Sequence, residues 1–237
     1  MKHDDLNGLL ANLPPYPGIL GRDRYFNSVV LIALFERDGE LFFVFEKRAA
    51  HIRQGGEISF PGGAYEKEQD ADYRDTALRE TREELGIPAD RIEILGQLDT
   101  MINMAGTVIE VFFGLLTIPE LSCMVPNQQE VERVFAIPVS FFQNTKPEVY
   151  HARVEVQPHF FDENGNQVVL LPSRELGLPS RYLKPWGGKE HVIHLYRHGG
   201  EIIWGITAEL VREFISRIPS GGGDIGGGAV SSRPRDP

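Results

Sequence analysis

Cys123 is the sole cysteine of the sequence, so no disulfide can form within the chain, and a reducing compartment suits it best. Long apolar runs are missing as well. None approaches the roughly 20 residues that a membrane-spanning helix requires. The opening stretch, MKHDDLNGLLANLPPYPGIL, sets acids and prolines where a secretory signal needs a basic end and an unbroken apolar segment. A cytoplasmic protein is therefore expected. Positive charge is in short supply, with 24 Lys and Arg against 34 Asp and Glu and a formal net charge of −10. That balance argues against a general binder of nucleic acid or anionic membranes, which needs clustered cations. It leaves room for a small phosphorylated ligand held by a local basic patch. Internal repeats are absent too.

What remains is an ordinary globular composition. The 237 residues are 41% hydrophobic and 24% charged, enough for one sizeable core with an elaboration but hardly for two full domains. Residues 1–24 contain Pro and Gly and read as an N-terminal arm. FNSVVLIALFER and LFFVFEKRA follow as apolar runs parted by Asp38-Gly39, a hairpin signal. From Asp72 to Leu85 the pattern turns helical, with Gly86 where a left-handed cap is expected. RIEILGQLDTMI and GTVIEVFFGLLT read as strands, and QQEVERVFAIPVSFF as a loop entering a strand closed by Pro138, with a short helix after it. Ile206, Leu210, Val211, Phe214 and Ile218 recur at helical spacing in a last helix. Residues 219–237 are Gly- and Ser-rich and read as a disordered tail. Mixed strands with two main helices predict an α/β layered sandwich spanning residues 25–218.

One helix carries an unusual burden. In FPGGAYEKEQDADYRDTALRETREELGI, Phe60 to Ile87, Glu80, Glu83 and Glu84 cluster within one turn. Like charges four apart repel by roughly 0.2–0.5 kcal/mol on a solvated helix, so a cation or an arginine should compensate. Three carboxylates make an all-oxygen site suited to Mg²⁺ or Mn²⁺. Gly62 and Gly63, lacking Cβ, would let backbone approach the same ligand closely. The plainer alternative is a solvated surface helix in which Arg79 and Arg82 neutralise the acids.

The run Arg79-Glu80-Thr81-Arg82-Glu83-Glu84-Leu85-Gly86-Ile87 resembles the second half of the Nudix box, GX5EX7REUXEEXGU, where U is a bulky apolar residue. Thr81 replaces the apolar residue, a change expected to loosen helix packing. The first half departs more, for the spacing from Gly63 to Arg79 is two residues longer than the box and no Glu stands at the expected place. Asp70 or Asp72 is the substitute, and pairing of Arg79 with Asp70 is the expected equivalent. The resemblance implies a Nudix fold, an α/β/α sandwich with a mixed central sheet, and hydrolysis of nucleoside diphosphate derivatives with Mg²⁺ or Mn²⁺. Glu80, Glu83, Glu84 and the Gly62 backbone would hold the metal, and Glu83, Arg79 and a loop carboxylate would serve catalysis. Glu130 is the first choice for that carboxylate and Glu132 the second.

Upstream, EKRAAHIRQGGEISFPGG is similar to the coenzyme A pyrophosphatase signature LLTXR[SA]X3RX3GX3FPGG, with Arg48-Ala49, Arg53, Gly56 and Phe60 to Gly63 in register. One residue is missing between Arg53 and Gly56, and Phe45 and Glu46 stand in place of Leu and Thr. The subfamily implies cleavage of coenzyme A to 3',5'-ADP and 4'-phosphopantetheine, with Arg48, Arg53 and Gly63 binding substrate. Arg48 could instead pair with Glu46 or Glu57. The rival readings are a Nudix enzyme for ADP-ribose, NADH or a damaged nucleotide, with residues 160–189 as an insertion reshaping the pocket, and a non-catalytic sensing module. His191, His194 and His198 lie in a strand-like run and are not expected to bind metal, while Trp204 is expected in the core or packed beside the sheet rather than as a base-stacking platform. A homodimer is a family expectation.

Overall fold

A computed structural model of the chain describes residues 8 and 10–219; the expected tail, from residue 220 onward, lies outside them. Two strands open the fold, β1 (Phe26–Arg37) and β2 (Glu40–Arg48). They are joined at Asp38-Gly39 and pair antiparallel from Leu34↔Phe43 to Arg37↔Glu40. Beyond Phe43 the hairpin forks. β2 is taken up by β8 (Val131–Pro138) and by the two-residue β3 (Ile58–Ser59), while the first half of β1 pairs with β4 (Gly62–Ala64). The Phe60-Pro61 corner therefore sits inside the fork, with the Pro61 carbonyl accepting from the Leu31 N–H at 2.9 Å. On its other edge β1 runs parallel to β7 (Thr107–Leu116), which also carries β5 (Ile92–Gln97) and β6 (Met101–Asn103) antiparallel. These strands form one eight-stranded mixed sheet.

Strand parity sorts the core into two layers. Val29, Leu31, Ala33 and Phe35 of β1 pack with Ala77 and Leu85 of helix α1 (Tyr73–Leu85). Ile32 and Leu34 point the other way, into a cluster with Ala208, Leu210 and Val211 of helix α3 (Gly205–Arg217). Phe43, Phe45, Phe60 and Phe142 fill that second layer with edge-on and stacked rings. The short helix α2 (Val139–Asn144) follows Pro138 as the sequence suggests. The result is the expected α/β/α sandwich.

Beyond α2, β9 (Glu148–Val156), β12 (Trp186–His198) and β13 (Glu201–Trp204) make a separate three-stranded sheet, and β10 (His159–Phe161) pairs with β11 (Gln167–Val169). The histidines do fall on a strand. Trp204 is not in the core: Ile203 is fully buried, so alternation turns Trp204 outward, where it is 42% exposed. Ahead of β1, Arg22 reaches across to the buried Glu110 of β7 at 2.5 Å and stacks over Tyr73 at the start of α1.

Helix α1 begins at Asp72, whose side chain accepts from the Asp75 N–H at 2.9 Å. It ends at Gly86 in the left-handed region (φ 65), where a Cβ would also lie 1.9 Å from the Val125 carbonyl oxygen. Thr81, in the place of an apolar residue, is wholly buried, and its hydroxyl has no hydrogen-bond partner. The helix packs closely here; the cost is polar rather than steric. Thr81→Val preserves shape and removes the unmet hydroxyl, so it should raise stability by about 1 kcal/mol. A higher urea midpoint at unchanged m-value would register this.

Candidate functional site

The helix glutamates meet the fork at the diglycine. Glu84 is buried, and one of its oxygens accepts the Gly62 N–H at 2.8 Å. The Glu80 carboxylate lies so close over Gly63 that a Cβ there would fall 2.3 Å from its carbon. A Cβ on Gly62 would instead strike the Val29 carbonyl oxygen of β1 at 2.2 Å. The two glycines thus serve different neighbours, Gly62 the sheet and Gly63 the acid.

Glu83 is not brought in with them. Its side chain is 46% exposed and lies 3.4 Å from both Arg79 and Arg82. On a helix Glu80 and Glu84 stack in one row facing β4, while Glu83 is turned about 100° away at the rim. Among the described residues no three His, Cys, Asp or Glu side chains converge into a closed cage.

Arg79 organises the surroundings. Its guanidinium grips Asp70 with two parallel hydrogen bonds of 2.8 and 2.9 Å, donates to the Ala64 carbonyl at 3.1 Å and reaches Glu80 at 2.8 Å. Of the two acids left open by the lengthened loop, Asp70 is the partner, while Asp72 caps the helix. The Arg79 hydrogen bonds hold the Asp70 carboxyl down at about 2.

Glu46 of β2 has no counterpart among the residues singled out by motif. It is 1% exposed; one oxygen accepts from the Ser59 hydroxyl at 3.0 Å and the other, also buried, has no partner. Burial pushes its carboxyl up to about 7. Burial, followed by the adjacent Glu46, raises Glu84 as well, and burial raises Glu80. Crowded, half-compensated carboxylates of this kind suit a hard divalent cation. The orphaned Glu46 oxygen, the cradle kept open by Gly63 and the all-oxygen donor set each fit one.

Arg48 lies beside Glu46, one of the two acids named as its alternative partners. Its Nη1 lies 3.8 Å from Glu46, and its Nε donates to the Arg53 carbonyl at 3.3 Å. Both arginines also line a cavity of about 910 Å³ that borders Gly62 and Phe60, with His191, His194, Trp204 and Arg212 along its far wall. None of residues 160–189 lines it; the wall comes from β12, β13 and α3. Glu130 is exposed at the mouth of β8, near enough for its charge to act on Glu46 and Glu80. Glu132 is drawn aside toward Lys47 at 3.5 Å. The signal that would have exposed Trp204 was strand parity, whereas nothing local marked Glu46.

A helix of acids docked on a diglycine corner, beside a cavity edged with arginine, defines a hydrolytic site of the metal-assisted, pyrophosphate-cleaving class. A Nudix-domain profile matches residues 25–153, and the chain belongs to the Nudix family. An uncharacterized Nudix hydrolase, NudL, of Photorhabdus laumondii is 26% identical over 216 residues, covering 91% of this chain and 96% of the relative. The mitochondrial Nudix hydrolase 15 of Arabidopsis thaliana is 30% identical over 190 residues, 78% of this chain and 55% of that protein. A solved Nudix hydrolase from M. smegmatis aligns at 18% identity and a TM-score of 0.41, over 49% of this chain and 72% of that one. Among the described residues no helix is long and apolar enough to cross a membrane.

Two outcomes test this geometry. Gly62→Ala should cost about 3 kcal/mol, because sheet backbone must move. Gly63→Ala should unfold within a few degrees of the parent, because only the end of the Glu80 side chain yields; thermal melts compare the two. Asp70→Asn should cost about 3 kcal/mol at pH 7 by stranding the Arg79 charge. Since the folded Asp70 carboxyl titrates below its ordinary 3.8, its stabilisation is complete above that value and fades as the pH falls toward about 2. Denaturation midpoints of parent and variant should therefore converge in acid.

Proposed function

We propose that the protein hydrolyses the pyrophosphate bond of coenzyme A or its acyl derivatives, releasing 3',5'-ADP and the corresponding 4'-phosphopantetheine. The observation that carries this reading is the presence of Arg48 and Arg53 on the cavity wall beside the diglycine corner. Coenzyme A has a 3'-phosphate separate from its pyrophosphate, and guanidinium groups at that distance from the acids can take a phosphate the acidic site would repel. The cavity is large enough for a nucleotide.

Glu80, Glu84 and the more exposed Glu83, with backbone from Gly62, are the groups that would hold Mg²⁺ or Mn²⁺. Bound there, the cation would neutralise charge on the pyrophosphate and acidify the attacking water. Arg79 keeps Glu80 against the corner. Glu130 is the residue assigned to take the proton from water at its carboxylate oxygen, since Glu132 is engaged by Lys47. Gly63 is assigned to substrate by the resemblance alone; its open face is where Glu80 sits. Residues 25–218 form the catalytic unit in this reading, with 160–189 as an insertion; the expected arm, 1–24, lies partly outside the described residues. A cytoplasmic location and a homodimer complete it.

Product analysis over coenzyme A, dephospho-coenzyme A, ADP-ribose and NADH with Mg²⁺ or Mn²⁺ tests the substrate. Coenzyme A should be preferred over its dephospho form by about tenfold in kcat/KM, the value of one charge-assisted contact. Glu84→Gln should lower turnover by about 100-fold. Equal rates on the two coenzyme A forms would refute the arginine assignment, and faster cleavage of ADP-ribose or NADH would favour the other substrate class.

A further inference from the structure

We infer that Glu46 is a further ligand of the divalent cation, supplied by the sheet opposite the glutamate helix. The inference rests on the metal reading of the site given above. Glu46 lies on β2, far in sequence from the helix, where the Nudix signature places no metal ligand. Its carboxylate is 1% exposed and abuts the buried Glu84 carboxyl. Only one of its oxygens is committed, to the Ser59 hydroxyl at 3.0 Å, and the nearest cation, Arg48, stands off at 3.8 Å from that same oxygen. The second oxygen is sealed from solvent and has no hydrogen-bond donor except the adjoining Glu84 carboxyl, when that is protonated.

Two buried acids in contact can share a proton, but ionised together without a cation they make one of the least favourable placements the interior offers. A sheet position such as this is readily filled by an apolar or hydroxyl side chain. Keeping Glu here makes sense if a positive ion enters between Glu46 and Glu84. Ser59 then orients Glu46 by fixing its other oxygen, as hydrogen-bonded carboxylates do around bound metals. A purely structural alternative has Glu46 only anchoring Ser59 and Arg48, which a glutamine could do as well.

Mn²⁺ binding without nucleotide separates the two, read by electron paramagnetic resonance and by the Mn²⁺-induced rise in melting temperature. Parent protein, Glu46→Gln and Glu80→Gln are compared. Glu46→Gln should fold, retain the Ser59 contact and bind Mn²⁺ about 10- to 100-fold more weakly, with a smaller thermal shift. Parent-like affinity in that variant would overturn the inference while leaving the metal site intact, provided Glu80→Gln weakens binding. If the parent takes up no Mn²⁺, or Glu80→Gln binds as the parent does, the metal reading falls and the inference with it. Should Glu46→Gln fail to fold, Glu46→Asp keeps the charge but withdraws it from the site, and parent-like Mn²⁺ affinity there would likewise overturn the proposal.

Discussion

The guanidinium of Arg79 is the contact on which the site's geometry depends. It ties the loop at Asp70, the strand β4 at the Ala64 carbonyl and the helix itself at Glu80 into one rigid unit. Each of these bonds is short, and the arginine is largely shielded from water, so they are stronger than surface ion pairs. Without it, the loop between diglycine and helix would lose its tie to the helix arginine, and Glu80 would lose its cation. The extra loop length is accommodated because the acid partner moves with the loop; what must be preserved is the grip, not the spacing.

Around that grip, the fork in the β1–β2 hairpin does the positioning. Because β2 leaves β1 after Phe43, β3 and β4 can enter, and the corner between them faces the helix on one side and the cavity on the other. The acids approach from the layer of α1, while Arg48, Arg53 and the β12 wall belong to the opposite side. Acids and cavity arginines thus come from different elements and meet where Arg48 stands 3.8 Å from Glu46. In the reading offered here, that arrangement lets one small molecule be gripped by cations at one end and by acids with their metal at the other.

Much of this was legible in the residues alone. The Asp38-Gly39 hairpin, the capped helix from Tyr73 to Leu85, the strand ending at Pro138 and the apolar stripe of α3 all follow local rules of turn chemistry and periodicity, and all appear. The resemblance to the Nudix box left both Asp70 and Asp72 open; only the fold separates the buried partner from the helix cap. Glu46 escaped because its surroundings are built by residues far away in sequence, and nothing in a strand reading FFVFEKR reveals which face meets the helix. Of the two places read for Trp204, core or beside the sheet, alternation alone excludes the core, since the adjoining Ile203 is buried. Spacing places Glu83 on the same turn as its helix mates, and the fold adds only that it stands at the exposed rim beside Arg79 and Arg82.

The parallel pairing of β1 with β7 joins nine successive residues, from Phe26↔Thr107 to Leu34↔Leu115. Partners in that ladder stand far apart along the chain, so the centre of the sheet carries a high contact order and its closure must be slow compared with that of the adjoining hairpin. During synthesis, helix α1 leaves the ribosome before β7, one wall of its seat, exists. Its acids can meet the diglycine corner at once, but the apolar seat beneath the helix is complete only when the sheet zippers late.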